Sequence, residues 1–331
     1  MGLVILGPNP NAETGVNVYG GDLDGDGYDD ILIGCANATV DGSHYPGATY
    51  VVWGGPNLPG LIDLSQPNTK YVSTFLGASD GDQFGTAVAI AGDMNGDGIL
   101  DFAASSPNNN NGNGAVYIIY GSKTRWSPHS RINVRSIPAG LGYAVYGRTG
   151  DVFGFDLSFV GDFNNDGLAD VAVGSPGSGT LPGSAMVIFG SRTLFAASVS
   201  VSSFDGIKGT VFTGVTAGDL FGDAVGPAGD YNLDGIADLT VGAAGTIGDV
   251  YVLYGQAGVY PAFVTVSSSL PTTAGEIIPP PMTNSGIGGE VWGGFDFNGD
   301  GKAEVALPLP SEANGSGNVV GALVVRFDLT P

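Results

Sequence analysis

Short apolar runs recur along this chain in a fixed order, separated by glycine-rich and polar stretches, and none approaches the length of a membrane-spanning helix. The most apolar of them repeat as GATYVVWGG from Gly47, GAVYIIYGS from Gly114, GSAMVIFGS from Gly183, GDVYVLYGQ from Gly248 and GALVVRF from Gly321. Val, Ile and Tyr at that density, bounded by glycine, predict β-strands. Before each lies a pair of shorter stretches, such as TAVAIAGD and DFAASS around Asp93 and Asp101, which predict a hairpin. After it, a longer connection leads to a fourth strand such as YVSTFLG from Tyr71. The order returns roughly every 68 residues. Four strands per repeat, repeated five times, predict an all-β fold: a five-bladed β-propeller of four-stranded antiparallel blades, with residues 1–331 as a single domain. The final repeat stops after its third strand, while LVILG at the start aligns with the fourth-strand segment STFLG. The N-terminal strand is therefore expected to complete the last blade and close the ring. Pro227 falls on a first strand, which a channel-lining edge tolerates.

The turn of each hairpin carries the chemistry. It reads DLDGDGYDD over 22–30, DMNGDGILD over 93–101, DFNNDGLAD over 162–170, DYNLDGIAD over 230–238 and DFNGDGKAE over 296–304. Side-chain oxygens at positions 1, 3, 5 and 9 and a backbone carbonyl at position 7 make a donor set for a hard divalent cation. The candidate ligands are Asp22, Asp24, Asp26, Tyr28 and Asp30 in the first loop and Asp93, Asn95, Asp97, Ile99 and Asp101 in the second. The third and fourth loops offer Asp162, Asn164, Asp166, Leu168 and Asp170, then Asp230, Asn232, Asp234, Ile236 and Asp238. Asp296, Asn298, Asp300, Lys302 and Glu304 complete the set, giving about five expected Ca²⁺ sites. An EF-hand is excluded, because position 12 holds Ile33, Ala104, Val173, Val241 or Leu307 where that motif needs an acid. Gly27, Gly98, Gly167, Gly235 and Gly301 at position 6 are expected at positive φ, whereas position 4 accepts Asn165 and Leu233.

Composition sharpens this picture. The 58 glycines and 20 prolines imply many turns, and 43% hydrophobic residues suffice for a core. A formal charge of −22 disfavours nucleic acid, and about half of the 32 acidic residues lie in the five loops. Carboxylates packed that closely repel one another unless a cation sits among them. Cys35 is the single cysteine, so stability must come from packing and metal rather than an intrachain disulfide. Sites of extracellular affinity, about 10⁻⁴ to 10⁻³ M, would each contribute about 0.5 to 2 kcal/mol in millimolar calcium. Calcium is too scarce in cytosol for that, so an extracellular or cell-surface location is expected. The opening MGLVILGPNPN does not read as a signal peptide, which is expected to be removed or to lie outside this stretch.

With these loops and the strands around them, the chain resembles the FG-GAP repeats of integrin alpha-subunit propellers. The FG element stands at Phe84-Gly85, Phe153-Gly154 and Phe221-Gly222, each nine residues ahead of an ion loop. GAP survives as GSP from Gly174 and GAA from Gly242. Repeat one has Thr14-Gly15 and repeat five Ile287-Gly288 in place of FG, and repeat five reads LPLP in place of GAP, departures expected to weaken the phenylalanine packing and not the ion site. Integrin propellers have seven blades, against five repeats here. The resemblance implies ions on one face and ligands on the other, where the loops around 77–83, 108–113, 177–182, 213–220 and 311–319 would lie. These loops are polar and unlike one another, and such loops on a rigid scaffold suit either recognition or plain solvation.

Other candidates are bland by comparison. Asp82, Asp151 and Asp219 precede each FG phenylalanine by two residues, as a second acidic ring or as Asx-type turns. His44 and His129 are isolated, Cys35 suits a small buried residue, and no nucleophile and base pair can be argued from spacing. Trp53, Trp126 and Trp292 could stack on a sugar, but two of the three fall within strand patterns, where core packing is the expectation. The sequons at Asn37 and Asn314 are no more than chance supplies. The expectation is therefore a non-enzymatic, calcium-binding module for protein or glycan partners, with no nucleic acid and no membrane span. Because only 13% of residues are charged, a subunit binding copies of itself in a filament or sheath is the alternative. A polysaccharide-active enzyme is a third reading, and would need convergent carboxylates away from the ion loops.

Overall fold

The computed structural model describes residues 2–39, 46–66, 70–124, 126, 131–177, 179–193, 195–245, 248–267, 270–279, 287–309 and 322–326. His44, His129, the Asn314 sequon and the loop at 311–319 lie outside them. The chain divides into two compact units, Met1–Thr149 with Ser191–Val201, and Gly150–Gly190 with Ser202–Pro331.

In the first unit, β1 (Val4–Leu6) precedes the strands of repeat one: β2 (Val18–Gly21), β3 (Asp30–Cys35), β4 (Ala48–Val52), the short β5 (Leu61–Asp63) and β6 (Val72–Leu76). Repeat two follows as β7 (Val88–Gly92), β8 (Asp101–Ser106), β9 (Ala115–Ile119), the short β10 (Arg131–Asn133) and β11 (Gly142–Tyr146). In the second unit, repeat three is β12 (Leu157–Gly161), β13 (Asp170–Ser175), β14 (Ser184–Ile188) and β16 (Gly209–Thr213); the intervening β15 (Ser198–Ser200) belongs to the first unit. Repeat four is β17 (Phe221–Gly229), β18 (Asp238–Ala243), β19 (Asp249–Leu253), β20 (Phe263–Thr265) and β21 (Gly275–Ile278), and repeat five is β22 (Trp292–Phe295), β23 (Glu304–Leu309) and β24 (Ala322–Arg326).

Each repeat builds its own antiparallel meander, in the orders β2-β3-β4-β6, β7-β8-β9-β11, β12-β13-β14-β16, β17-β18-β19-β21 and β22-β23-β24. Third strands of the first three repeats are buried on both faces, as their unbroken apolar runs require: β4, β9 and β14 have every residue buried. First strands of consecutive repeats pack beside one another within each unit, β2 against β7 and β12 against β17 against β22. Meanders in this succession are consistent with a β-propeller. Pro227 sits in β17, whose only ladder partner among the described residues is β18, so its missing N–H costs no pairing on a second side there.

Two features were not expected. Three-residue strands in the connections between third and fourth strands add in parallel to the fourth strand of the preceding repeat: β10 on β6, β15 on β11 and β20 on β16. The N-terminal strand likewise forms a parallel pair among the described residues, β1 with β5. The physical reason is shared. β5 is the counterpart of β10, β15 and β20, and β1 pairs with it as β6, β11 and β16 pair with those strands.

The FG element lies where successive repeats of one unit meet, as at Gly85 beside Ala48 and Gly222 beside Ser184. Phe84, Phe153 and Phe221 are all but completely buried, and Phe84 lies 5.4 Å from the Tyr117 ring, edge to face. The glycine after each is at φ near 88°, and a Cβ on Gly85 or Gly222 would stand 2.5 or 2.0 Å from the carbonyl oxygen of Ala48 or Ser184. Repeat five keeps this geometry without phenylalanine: Ile287 is 1% exposed and Gly288 has φ 95°, so the departure there does not open the packing.

Candidate metal centres

All five loops adopt one backbone path, set by the first-position aspartate. Asp22 accepts from the N–H groups of Gly25 at 2.7 Å, Asp26 at 3.1 Å and Gly27 at 2.9 Å. Asp93 and Asp296 repeat that trio on Gly96, Asp97 and Gly98, and on Gly299, Asp300 and Gly301. Asp162 and Asp230 hold Gly167 and Gly235. The third-position oxygen accepts from the fifth-position N–H, as in Asn95 from Asp97 at 2.8 Å, and the fifth accepts from the seventh, as in Asp97 from Ile99 at 2.9 Å. The side chains at positions 1, 3 and 5 are thus folded inward by the backbone itself. Burial would raise the Asp22 carboxyl, but the N–H donors of Gly27, Gly25, Asp26 and Asp24 outweigh it and hold it below the usual range.

The curvature needs left-handed residues at two positions. The sixth-position glycines lie between φ 81° and 89°. Position 4 is left-handed too, with Gly25, Gly96 and Gly299 at 70° to 79°, Asn165 at 55° and Leu233 at 63°. Leu233 is therefore accommodated under strain, which the sequence did not disclose. Because its side chain is 52% exposed, Leu233→Gly is expected to raise stability by about 0.5–1 kcal/mol. A urea melt checks this; unchanged or lower stability counts against a strained position.

The ninth-position acid does more than its spacing suggested. Asp101 is fully buried, and its two oxygens accept from Met94 N and Gly121 N at 2.8 Å each. Asp30 joins Leu23 to Gly54, Asp170 joins Phe163 to Gly190 and Asp238 joins Tyr231 to Gly255 in the same way. Each carboxylate therefore clamps the second residue of its loop to the glycine that ends the third strand. Burial pushes these groups up, to about 6 for Asp30 and about 7 for Asp101 and Asp238, against the pull of their N–H donors and helped by acids such as Asp24, Asp97 and Asp234. Asp170 is raised well above the ordinary value for the same reasons.

These residues fit a divalent cation by observations independent of the motif. One carboxylate oxygen each of Asp22, Asp24 and Asp30 lie within 4.8 Å of one another, and so do those of Asp296, Asp300 and Glu304. Among the described residues, Asp230 Oδ1 and Glu304 Oε1 are buried without a hydrogen-bond partner. A buried carboxylate oxygen with no donor, beside other acids, is an energetic liability that a cation removes.

At the opposite end of the strands, the loop entering a repeat is tied to the loop between that repeat's second and third strands. Asp82 accepts from Asn109 Nδ2 at 2.8 Å, Asp151 O from Gly177 N at 3.1 Å and Asp219 O from Gly245 N at 2.9 Å. The three acids before FG thus anchor loops, and Asp82 does so with a side chain that reaches another loop, unlike an Asx turn. The asparagine run 108–113 forms a left-handed turn, with Asn110 at φ 50° and Asn111 at φ 60°, which asparagine tolerates. Asn108 adds a bond to Gln83, which also reaches Asn37. Sequence reasoning missed that Glu13, Gln83, Val152 and Leu220, each just before an FG position, all lie at φ 55° or 56°. Those four types share no chemistry that would signal it.

Of the tryptophans, Trp53 and Trp126 are buried with centroids 5.1 Å apart, and Trp292 is 56% exposed. Cys35 is buried, with its thiol pushed up to about 11 by burial. Asp156 is a half-buried residue whose carboxyl is raised to about 6 by burial against the Val225 and Leu157 N–H groups, with Glu290 and Asp223 adding repulsion. Its folded pKa exceeds the unfolded value near 3.9, so its ionisation costs stability as pH rises from about 4 to 6. Relative to an Asp156→Asn variant, the parent is expected to lose about 1–3 kcal/mol between pH 4 and pH 7. Parallel pH-dependent melts in chelator check this, and a constant difference contradicts it.

The profile of the family described as FG-GAP repeat matches residues 84–119 and 153–187. These two segments are therefore FG-GAP repeats. It is similar to integrin alpha-PS2 of Drosophila melanogaster, 33% identical over 195 residues that cover 57% of this chain and 13% of that protein. Phosphatidylinositol-glycan-specific phospholipase D of Dictyostelium discoideum is 30% identical over 208 residues, 57% of this chain and 21% of that protein. Integrin alpha-X of Mus musculus is 39% identical over 98 residues, 29% and 8% of the two chains. The chain spans at most about a fifth of the length of these relatives.

Proposed function

We propose that the chain is a calcium-stabilised recognition module that works outside the cell by binding, not catalysis. The observation that carries this reading is the division of labour along repeats two to four: acid-rich loops of one backbone path at one end, and mutually tied polar loops of differing sequence at the other. Positions 1, 3, 5 and 9 of each loop would hold Ca²⁺ through side chains and position 7 through its carbonyl, and the ion would supply the positive charge that the clustered carboxylates lack. The five repeats would form one five-bladed domain spanning 1–331, with β1 as the closing strand of the last blade. The loops tied through Asp82, Asp151 and Asp219 would present a protein or glycan site, because loops fixed before binding lose little entropy on contact.

Similarity to integrin alpha subunits supports adhesion or recognition as the activity class. The stretch shared with the phospholipase D relatives is equally similar and covers a fifth of the Dictyostelium protein, so it supports a common module as readily as a common reaction. The low share of charged residues, 13%, keeps self-assembly as the second reading. Sedimentation velocity in millimolar calcium separates the two: a concentration-independent monomer supports recognition of another molecule, and growth into large species supports the assembling subunit. A glycan array and an extracellular-protein array, each probed in calcium with the parent and an Asn109→Ala variant, then test recognition itself. Absence of any binding that depends on residue 109 or its neighbours counts against the proposed face.

A further inference from the structure

The peptide at the second position of an ion loop is held from two sides. Its N–H donates to the ninth-position carboxylate of its own loop, as at Leu23 and Phe163. Its carbonyl turns to the following repeat: Leu23 O accepts from Ser122 N at 3.0 Å, Met94 O from Ser191 N at 2.7 Å and Phe163 O from Gln256 N at 3.1 Å. The side chains go the same way. Leu23 lies in the buried cluster that contains Trp126, and the Phe163 ring stands 5.2 Å from that of Tyr260.

The acceptors and donors interlock. Gly121 N donates to Asp101 of the second loop, and the very next N–H, that of Ser122, donates to Leu23 of the first. In the second unit, Gly255 N donates to Asp238 of the fourth loop and Gln256 N to Phe163 of the third. One two-residue segment therefore anchors two ion loops at once. A loop without its ion keeps its clustered carboxylates in mutual repulsion, and any loosening of it loosens the segment that also seats its neighbour.

We propose that Gly121–Ser122 couples the metal sites of loops 22–30 and 93–101, and Gly255–Gln256 those of loops 162–170 and 230–238, so that filling one loop of a pair raises the affinity of the other. This coupling rests on the reading of the loops as calcium sites. Linkage makes it reciprocal, and allosteric couplings of this kind typically change affinity about 5- to 150-fold. The direct contacts here are few, so the low end of that range is expected.

Amide hydrogen exchange across a calcium titration tests it, comparing the parent with Asp26→Ala, which removes an exposed first-loop carboxylate and no clamp. In the parent, the 93–101 amides and the Gly121–Ser122 segment are expected to gain protection with calcium at a common midpoint. In Asp26→Ala that midpoint is expected to rise about fivefold, while the midpoint for 230–238 stays in place. Loss of protection at 22–30 with an unmoved midpoint at 93–101 overturns the coupling and leaves the calcium reading intact. Calcium-independent exchange at all loops of the parent removes both.

Discussion

Gly222→Ala is expected to destabilise the chain by at least about 3 kcal/mol, by the same amount in calcium and in chelator. The cost has two sources. The residue sits at φ 88°, where an L side chain is strained, and its Cβ would stand 2.0 Å from the Ser184 carbonyl oxygen and 2.8 Å from its carbon. Backbone cannot rotate aside as a side chain can, so β14 or the FG turn would have to move, exposing Phe221 from its buried place. Gly27→Ala is the control: φ is 89°, yet nothing lies within 4 Å of the added carbon, so about 1 kcal/mol of strain is all that is expected. Urea melts of both variants check the contrast. Equal, small losses would mean that the FG turn yields easily and does not fix the packing of successive repeats.

The second large effect separates two roles that the sequence merged. Asp101→Ala strips the acceptor from Met94 N–H and Gly121 N–H at a buried position, and unsatisfied buried donors cost about 1–3 kcal/mol each. A loss of about 2–4 kcal/mol is therefore expected even in chelator, with a further loss in calcium. Asp97→Ala removes a carboxylate that folds back on Ile99 and Asn95 of its own exposed turn. It is expected to lower stability in millimolar calcium by about 0.5–2 kcal/mol and to change little in chelator. Thermal melts of the two variants in both conditions make a four-way comparison. A fall for Asp97→Ala that is equal in calcium and chelator would show that no ion is held there.

The loops and the long strands were legible because their signals are local. Asp, Asn and Gly at fixed offsets dictate the path of 93–101 through bonds that span five residues at most, apart from the ninth-position clamp. Runs such as AVYII declare a doubly buried strand by composition alone. What stayed hidden depends on partners far along the chain. The clamp from Asp101 to Gly121 spans 20 residues, although the recurring glycine after each third strand, Gly54, Gly121, Gly190 and Gly255, was a visible sign. Those glycines have a steric reason: a Cβ on Gly54, Gly121 or Gly255 would meet a backbone oxygen of its own ion hairpin at 2.3 Å. The parallel strands β5, β10, β15 and β20 are three residues each, too short for alternation to register. Trp126 is buried although it lies outside any strand, because its indole N–H finds the Tyr120 carbonyl at 2.8 Å and its ring fills space beside Trp53 and Phe75.

Calorimetric titration of Ca²⁺ into chelator-stripped protein, paired with melting curves in calcium and in EDTA, goes most directly to the claim on which the rest depends. The account predicts saturable uptake approaching one ion per loop and a melting temperature several degrees higher in millimolar calcium. Flat heats together with identical melting curves would mean that the five acidic loops are held by their backbone hydrogen bonds alone, and would contradict it.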